Sequence, residues 1–244
     1  MSPELSVVVP THNEADNLAG LLAEIRSALD GLVEYEVVCV DDGSGDATPR
    51  LLAALGAEFP LLRVVHHRAR AGQSASTAHG VSVARGTWVA TLDGDGQNDP
   101  ADIPRLLAIV RSPDAPPDLR LVVGERSRRQ DSWIKRFAGR VANAVRARLL
   151  GDATRDSGSG LKLFRRDCFL ALPQFDHMHR FLPALFLRSG WRVASVPVKH
   201  RPRRHGRSHY GVLDRLWVGI PDLVGVLWLQ HRPMSPVNRE DPHD

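Results

Sequence analysis

Three short acidic stretches could carry chemistry in this chain of 244 residues. Residues 87–100 read TWVATLDGDGQNDP, an apolar run that leads straight into Asp93, Asp95 and Asp99. THNE (Thr11 to Glu14) and DDGSGD (Asp41 to Asp46) also follow apolar runs. Like charges placed this closely must be relieved by a cation, by protonation or by hydrogen bonds. A hard divalent ion, Mg²⁺ or Mn²⁺, bridged to phosphate oxygens is the natural remedy, since Mg²⁺ typically takes one or two carboxylates plus substrate phosphates.

The elements that must position these groups alternate. LSVVVP, EYEVVCVDD, LRVVHH, TWVATLDGD and LRLVVGER read as strands. Between them, EADNLAGLLAEIRSAL shows apolar positions at i, i+3, i+4 and i+7, and ATPRLLAALGAEF, QSASTAHGVSVARG (ending at Gly86) and DPADIPRLLAIVR follow as helices. Asp46 or Thr48 is expected near the cap of the second helix. Val-rich strands alternating with helices predict a mostly parallel sheet covered on both faces. In such a sheet, ligands bind beyond the carboxyl ends of the strands, where all three acidic turns fall. After residue 126 the pattern loosens. A basic amphipathic helix (133–148), a glycine-rich turn and short strand (DSGSGLKLFRRDCF), a helix and strand (181–202), an exposed loop (RPRRHGRSHYG) and an apolar segment (213–233) follow, before a polar tail expected to be disordered.

Other nucleotide folds do not fit. GxGxxG would have to follow the first strand, where PTHNEAD stands, and no GxxxxGK[ST] occurs. A DxDx[TV] phosphatase would carry its motif after the first strand, whereas DGDGQ follows the fourth. Charge is divided: residues 1–100 hold 6 Lys+Arg against 14 Asp+Glu, and residues 101–244 hold 26 against 14. The basic half suggests an anionic partner, although three lysines in all also point to a compositional preference for arginine. Cys39 and Cys168 belong to no CxxC pair and read as buried thiols in a reducing compartment. No signal-peptide layout precedes the first strand.

Taken in order, VVVPTHNEADNL, VVCVDDGSGDAT, HHRARAGQSASTAHGVSVARG and LDGDGQNDPADIP resemble the family 2 inverting glycosyltransferases with a GT-A fold. GERSRR, DSGSGLKLFRRD, MHRFLPAL and RPRRHGRSHYG resemble the polyprenyl-phosphate branch, the dolichyl-phosphate mannosyltransferase-like enzymes. The resemblance spans residues 4–230 and implies one domain over 1–230. Its halves are a nucleotide-sugar-binding part (1–126) and an acceptor-side extension (127–230) ending in an apolar helix, with the tail at 231–244. It implies metal-dependent transfer, with inversion, to a dolichyl or undecaprenyl phosphate from GDP-mannose, the commonest donor of this branch, with a UDP-sugar as the alternative. Pro10, His12, Asn13 and Glu14 match the nucleotide-binding turn, with His12 placed to stack on the base. Asp41 matches the base-contacting carboxylate, with Asp42 beside it. Asp93 and Asp95 match the DxD pair, Asp95 as main metal ligand and Gln97 as a further oxygen donor. Arg126, Arg136, Arg203 and Arg204 are candidates for the acceptor phosphate, and Asp156 for the sugar or acceptor pocket. His179 and Arg180 are drawn toward the active site by the resemblance alone.

The chain departs from the pattern at His209, where lysine is usual; a neutral imidazole brings one hydrogen bond in place of a full charge. Arg204 and Arg207 are candidates to compensate. The arginines of 133–148 also read as a solvated face, and His200, His205 and His209 lack the cysteines or second pair that a zinc site would want. Trp133, Trp191, Trp217 and Trp228 read as core or interface anchors. A membrane span needs about 20 apolar residues. LWVGIPDLVGVLWL is shorter and interrupted by Pro221 and Asp222, so it reads as a core or dimer helix or as one lying against lipid. A lipid-phosphate acceptor implies a protein peripheral to the cytoplasmic membrane face, with a separate membrane protein as a candidate partner. Two other classes stay open: a family 2 transferase with a soluble or polysaccharide acceptor, and a non-catalytic binder of anionic polymers. The second lacks the interleaved aromatics that a nucleic-acid surface would want, so no nucleic acid is expected.

Overall fold

The computed structural model describes residues 2–126, 148–152, 154, 156–202 and 212–232, with side chains undescribed over 212–219. The basic helix beyond residue 132, Arg136, Arg203, Arg204, Arg207, His205, His209 and the side chains of Trp133 and Trp217 therefore lie outside it, as does most of the expected tail.

The first half follows the alternating pattern. Strands β1 (Leu5–Thr11), β2 (Tyr35–Asp41), β3 (Leu62–His66) and β4 (Trp88–Thr91) are joined by helices α1 (Ala15–Leu29), α2 (Thr48–Glu58) and α3 (Gln73–Val83). A 3₁₀ turn (Pro100–Asp102), α4 (Ile103–Arg111) and β5 (Leu119–Arg126) follow. The later elements are β6 (Lys162–Arg165), α5 (Arg166–Leu170), a 3₁₀ turn (Met178–Arg180), α6 (Leu182–Arg188), β7 (Arg192–Val198) and α7 (Val212–Gln230). They form one seven-stranded sheet in the order β3-β2-β1-β4-β6-β5-β7. All its pairings are parallel except those of β6, which runs antiparallel to both β4 and β5.

Period-two alternation divides the core between the two faces. Leu5, Val7 and Val9 of β1 point with Val37 and Cys39 toward α1, α2 and α4. Val8, Val38 and Val40 point the other way, toward α3, α5, α6 and α7. Cys39 and Cys168 are buried free thiols, and burial raises their pKa values to about 12 and about 11; Asp167 adds to the shift at Cys168.

Two boundaries differ from the sequence expectation. The third helix stops at Val83 instead of Gly86, because Glu36 and Ser6 capture the chain there. The Arg85 N–H donates to Glu36 Oε1 at 2.5 Å and the Gly86 N–H to Ser6 Oγ at 2.8 Å, while Ser6 Oγ donates to Glu36 Oε1 at 2.7 Å. The fourth strand ends at Thr91, before the acidic residues, which leaves DGDGQND as a loop. Asp46 does serve the second helix, accepting from the Thr48 N–H at 2.9 Å.

Candidate functional site

The carboxyl ends of β1, β2 and β4 open on a cleft of about 300 Å³. Pro10, Thr11, His12 and Glu14 line it from β1, Asp42 from β2, and Asp93, Gly94 and Asp95 from β4. Arg70, Gly72, Gln73 and Ser76 come from the start of α3, and Asp176, His177, His179 and Arg180 close the far wall. An acidic cleft of this size at the strand ends suits a small charged ligand together with a cation.

The two DxD carboxylates face the cleft. Asp93 Oδ1 accepts from Gln73 Nε2 at 2.8 Å, and Asp95 Oδ1 from the Gln97 N–H at 3.0 Å. Burial and the neighbouring Asp95 push the Asp93 carboxyl up to about 6, against the pull of Lys162 and Arg126. The like-charge repulsion that the sequence pattern implies is thus, after burial, the second cause that raises this carboxyl, and Lys162, Arg126 and Gln73 offset it only in part. Glycine makes the arrangement fit: a Cβ on Gly160 would stand 2.1 Å from Asp93 Oδ2 and 2.6 Å from Asn98 Oδ1. The third acid of the stretch leaves the site. Asp99 caps the 3₁₀ turn through the Ala101 N–H at 3.0 Å and pairs with Arg201 at 2.7 Å.

The neighbouring acids Asp41 and Asp42 are sorted by the loop across from them. Asp42 lines the cleft, held by the Ala71 and Gly72 N–H groups at 2.7 and 2.8 Å and by His67 Nδ1 at 2.8 Å. Burial opposes its charge, but these hydrogen bonds outweigh it and hold the pKa below the usual range. Asp41 is not part of the lining; it accepts from the Ser44 N–H at 3.1 Å and meets His66 Nδ1 at 2.9 Å. Gly43 lets the turn approach this loop: its φ is +64°, and a Cβ there would be 2.8 Å from the Ala69 carbonyl carbon.

His12 donates from Nδ1 to the Asp42 carbonyl at 2.8 Å, which orients its ring at the cleft edge. Asn13, in the left-handed region at φ 56°, joins two turns, its Oδ1 accepting from the Gly45 N–H and its own N–H donating to Ser44 Oγ, each at 2.9 Å. Asn13 thus sits behind the lining. Gln97 also lies outside it, with Nε2 3.5 Å from the Arg201 carbonyl. Arg126 and Asp156 hold each other through two hydrogen bonds of 2.6 Å.

Several residues came without notice. Lys162 is 3% exposed within β6, donates to the Ser159 carbonyl, and its charge pulls the Asp93 pKa down. Its signal was a lysine inside the apolar run LKLF. Arg70, Gln73, Ser76, Asp176 and His177 join the lining, and only the fold brings the 176–180 segment to it. His179 Nδ1 lies 2.7 Å from Ser74 Oγ, and burial followed by Lys162, Arg180 and His177 keeps the ring neutral, well below its ordinary pKa.

No group of three or more His, Cys, Asp or Glu side chains is placed to hold a metal among the described residues. The pair Asp93 and Asp95 nonetheless fits a hard divalent ion that completes its shell with substrate phosphates and water, since both are carboxylates and their repulsion is present.

Residues 6–172 match the family described as Glycosyl transferase family 2, and the chain belongs to that family. Within it, the chain is 34% identical over 242 residues to the dodecaprenyl-phosphate galacturonate synthase of Rhizobium johnstonii, covering 96% of this chain and 70% of that protein. It is 38% identical over 213 residues to the undecaprenyl-phosphate 4-deoxy-4-formamido-L-arabinose transferase of Edwardsiella ictaluri, covering 86% of this chain and 63% of that protein. The fold is that of solved GT-A enzymes. Glucosyl-3-phosphoglycerate synthase from Mycobacterium tuberculosis, in complex with Mn²⁺, UDP-glucose and phosphoglyceric acid, superimposes with a TM-score of 0.68 at 21% identity, over 97% of this chain and 83% of that one. A mannosyltransferase from Pyrobaculum calidifontis with GDP-mannose and Mn²⁺ gives 0.64 at 19%, over 97% and 66%.

Proposed function

We propose that this chain transfers a sugar from a nucleotide diphosphate sugar to a polyprenyl phosphate, with inversion at the anomeric carbon and with Mg²⁺ or Mn²⁺. What carries the proposal is the acidic cleft at the strand ends in a chain whose curated relatives are named for polyprenyl-phosphate sugar transfer. Those names mention galacturonate and a formamido-arabinose and not mannose, so the donor is tested across both GDP- and UDP-sugars.

Asp93 and Asp95 would hold the ion, which when bound supplies positive charge to the departing diphosphate. The chain's own residues do the rest. Pro10, His12, Glu14 and Asp42 form the wall against which the nucleotide rests, and Arg70 at the rim offers a guanidinium to its phosphates. Lys162 offsets part of the negative charge at Asp93. A phosphate acceptor is already ionised at neutral pH and needs no strong base, which agrees with the bidentate engagement of Asp156 by Arg126. Arg126, with Arg136, Arg203, Arg204 and His209 of the basic half, is proposed to hold the acceptor phosphate. The whole region 1–230 is proposed to act as one catalytic domain.

The test is transfer from a panel of GDP- and UDP-sugars to a short polyprenyl phosphate, with and without Mn²⁺, by wild type and Asp95→Ala. Metal-dependent product lost in the variant supports the proposal and names the donor. Nucleotide binding without product from any donor removes the acceptor assignment, and absence of nucleotide binding removes the proposal altogether.

A further inference from the structure

Two histidines outside the cleft stand behind one of its walls. His67, just beyond β3, places Nδ1 2.8 Å from Asp42 Oδ1 and Nε2 3.0 Å from His79 Nδ1. The two ring planes lie 8° apart with centroids separated by 5.2 Å, close to the N···N distance plus two ring radii. The rings therefore meet edge to edge and nearly in one plane, where an imidazole's N–H and lone pair both point.

Asp42 sets the direction of each bond. An ionised carboxylate can only accept, so the proton sits on His67 Nδ1. In the neutral ring Nε2 is then the acceptor, and His79 must donate from Nδ1. With 13% of its side chain exposed, His67 has little access to water as a substitute partner.

His79 belongs to α3, and Asp42 also grips the start of that helix. Its oxygens accept from the Ala71 and Gly72 N–H groups, directly before Gln73, whose Nε2 donates to Asp93 Oδ1. The chain Asp42–His67–His79 thus closes a ring through the first two turns of α3. The helix is fixed beside His79 because Gly80 packs on β1: a Cβ there would stand 2.5 Å from Val8 Cγ1.

We infer that His79 is a positioning residue for the nucleotide wall. It holds His67 in the tautomer that donates to Asp42, and so fixes the segment that carries Arg70, Gly72 and Gln73 into the cleft. The inference rests on the proposed nucleotide site. Neither histidine lines that site, so the influence of His79 passes through His67 and Asp42.

The test is calorimetric titration of the full chain with UDP and with GDP in the presence of Mn²⁺. His79→Ala is expected to weaken binding about three- to tenfold, the loss of one hydrogen bond. Asparagine can place its amide nitrogen where Nδ1 stood, so His79→Asn should stay within about twofold of wild type. Because His79 acts through His67, His67→Ala/His79→Ala should bind no worse than His67→Ala alone. As a second readout, ¹⁵N–¹H correlation spectra of the rings, recorded well above the ordinary imidazole pKa, should show His79 protonated at Nδ1, a state that contact with water alone does not select. The inference is overturned if His79→Ala binds as wild type does, if asparagine fails to rescue, if the effects of the two alanines add, or if His79 carries its proton on Nε2. Failure of wild type to bind either nucleotide would instead remove the proposed function, and the ring spectra would still decide whether His79 orients His67.

Discussion

Replacing Gly160 by alanine should disable the cleft while leaving the fold largely intact. A Cβ at this position meets Asp93 Oδ2 at 2.1 Å and Asp93 Cγ at 2.4 Å. Ordinary van der Waals contact begins at about 3.4 Å, so the carboxylate must retreat by roughly 1 Å. Gly160 cannot yield easily, since its carbonyl accepts from Thr91 Oγ1 at 2.7 Å. A displacement near 1 Å at a reacting site costs on the order of 100-fold in rate, or about 2.7 kcal/mol. Overpacking itself should cost about 1–3 kcal/mol of stability. Gly158→Ala is the matched control, because its Cβ would find only Arg126 Nη2, at 3.8 Å. Calorimetric titration of UDP and GDP in the presence of Mn²⁺ should show loss of metal-dependent binding in Gly160→Ala and retention in Gly158→Ala. If Gly160→Ala binds as wild type does while remaining folded, Asp93 does not hold the ion and the geometric reasoning fails.

Other outcomes follow from parts of the fold away from the ion. Ser6→Ala leaves the Gly86 N–H without its partner and takes one of three donors from Glu36, and should cost about 1–3 kcal/mol in urea unfolding at neutral pH. Burial raises the Glu36 carboxyl, but Ser6, the Arg85 N–H and Arg63 outweigh it and lower its pKa. Its contribution is therefore full above the unfolded carboxylate value of about 4.3 and fades as pH falls through the lower folded value. Glu36→Gln should flatten this acid limb when unfolding is followed against pH. Thiol titration should find Cys39 and Cys168 slow in the native protein and both reactive in denaturant. His67→Ala should weaken nucleotide binding by freeing Asp42 from one of its donors, a change read in KM while the thermal midpoint moves little.

The strands and helices up to residue 126 were legible because each apolar run is long enough, and alternates regularly enough, to admit one reading. The carboxylates at the strand ends followed from the same pattern. Asp41 and Asp42 show where legibility stops. The two are adjacent and chemically identical, and it is the Ala71–Gly72 backbone and His67, some 25–30 residues away, that hold Asp42 at the cleft while His66 and Ser44 hold Asp41 away from it. Lys162 was hidden for a similar reason, since a buried lysine has meaning only beside the acid it faces. The antiparallel course of β6 was not readable either: four residues, KLFR, carry no mark of direction. Among the turns, Asp99 looked equivalent to Asp93 and Asp95 until Arg201 claimed it.

The position of β6 has a consequence for biosynthesis. It pairs with β4 along Trp88–Thr91, yet it begins at Lys162, about 70 residues later in the chain. At roughly 5–20 residues per second, the ribosome leaves that flank of β4 without its partner for about 4–14 s. Throughout that interval the growing polypeptide can assemble β3-β2-β1-β4 with an open, apolar border of unpaired amides and carbonyls. The nascent chain is most vulnerable to misassociation then, and synonymous codon changes between residues 92 and 161 should alter soluble yield without altering the finished protein.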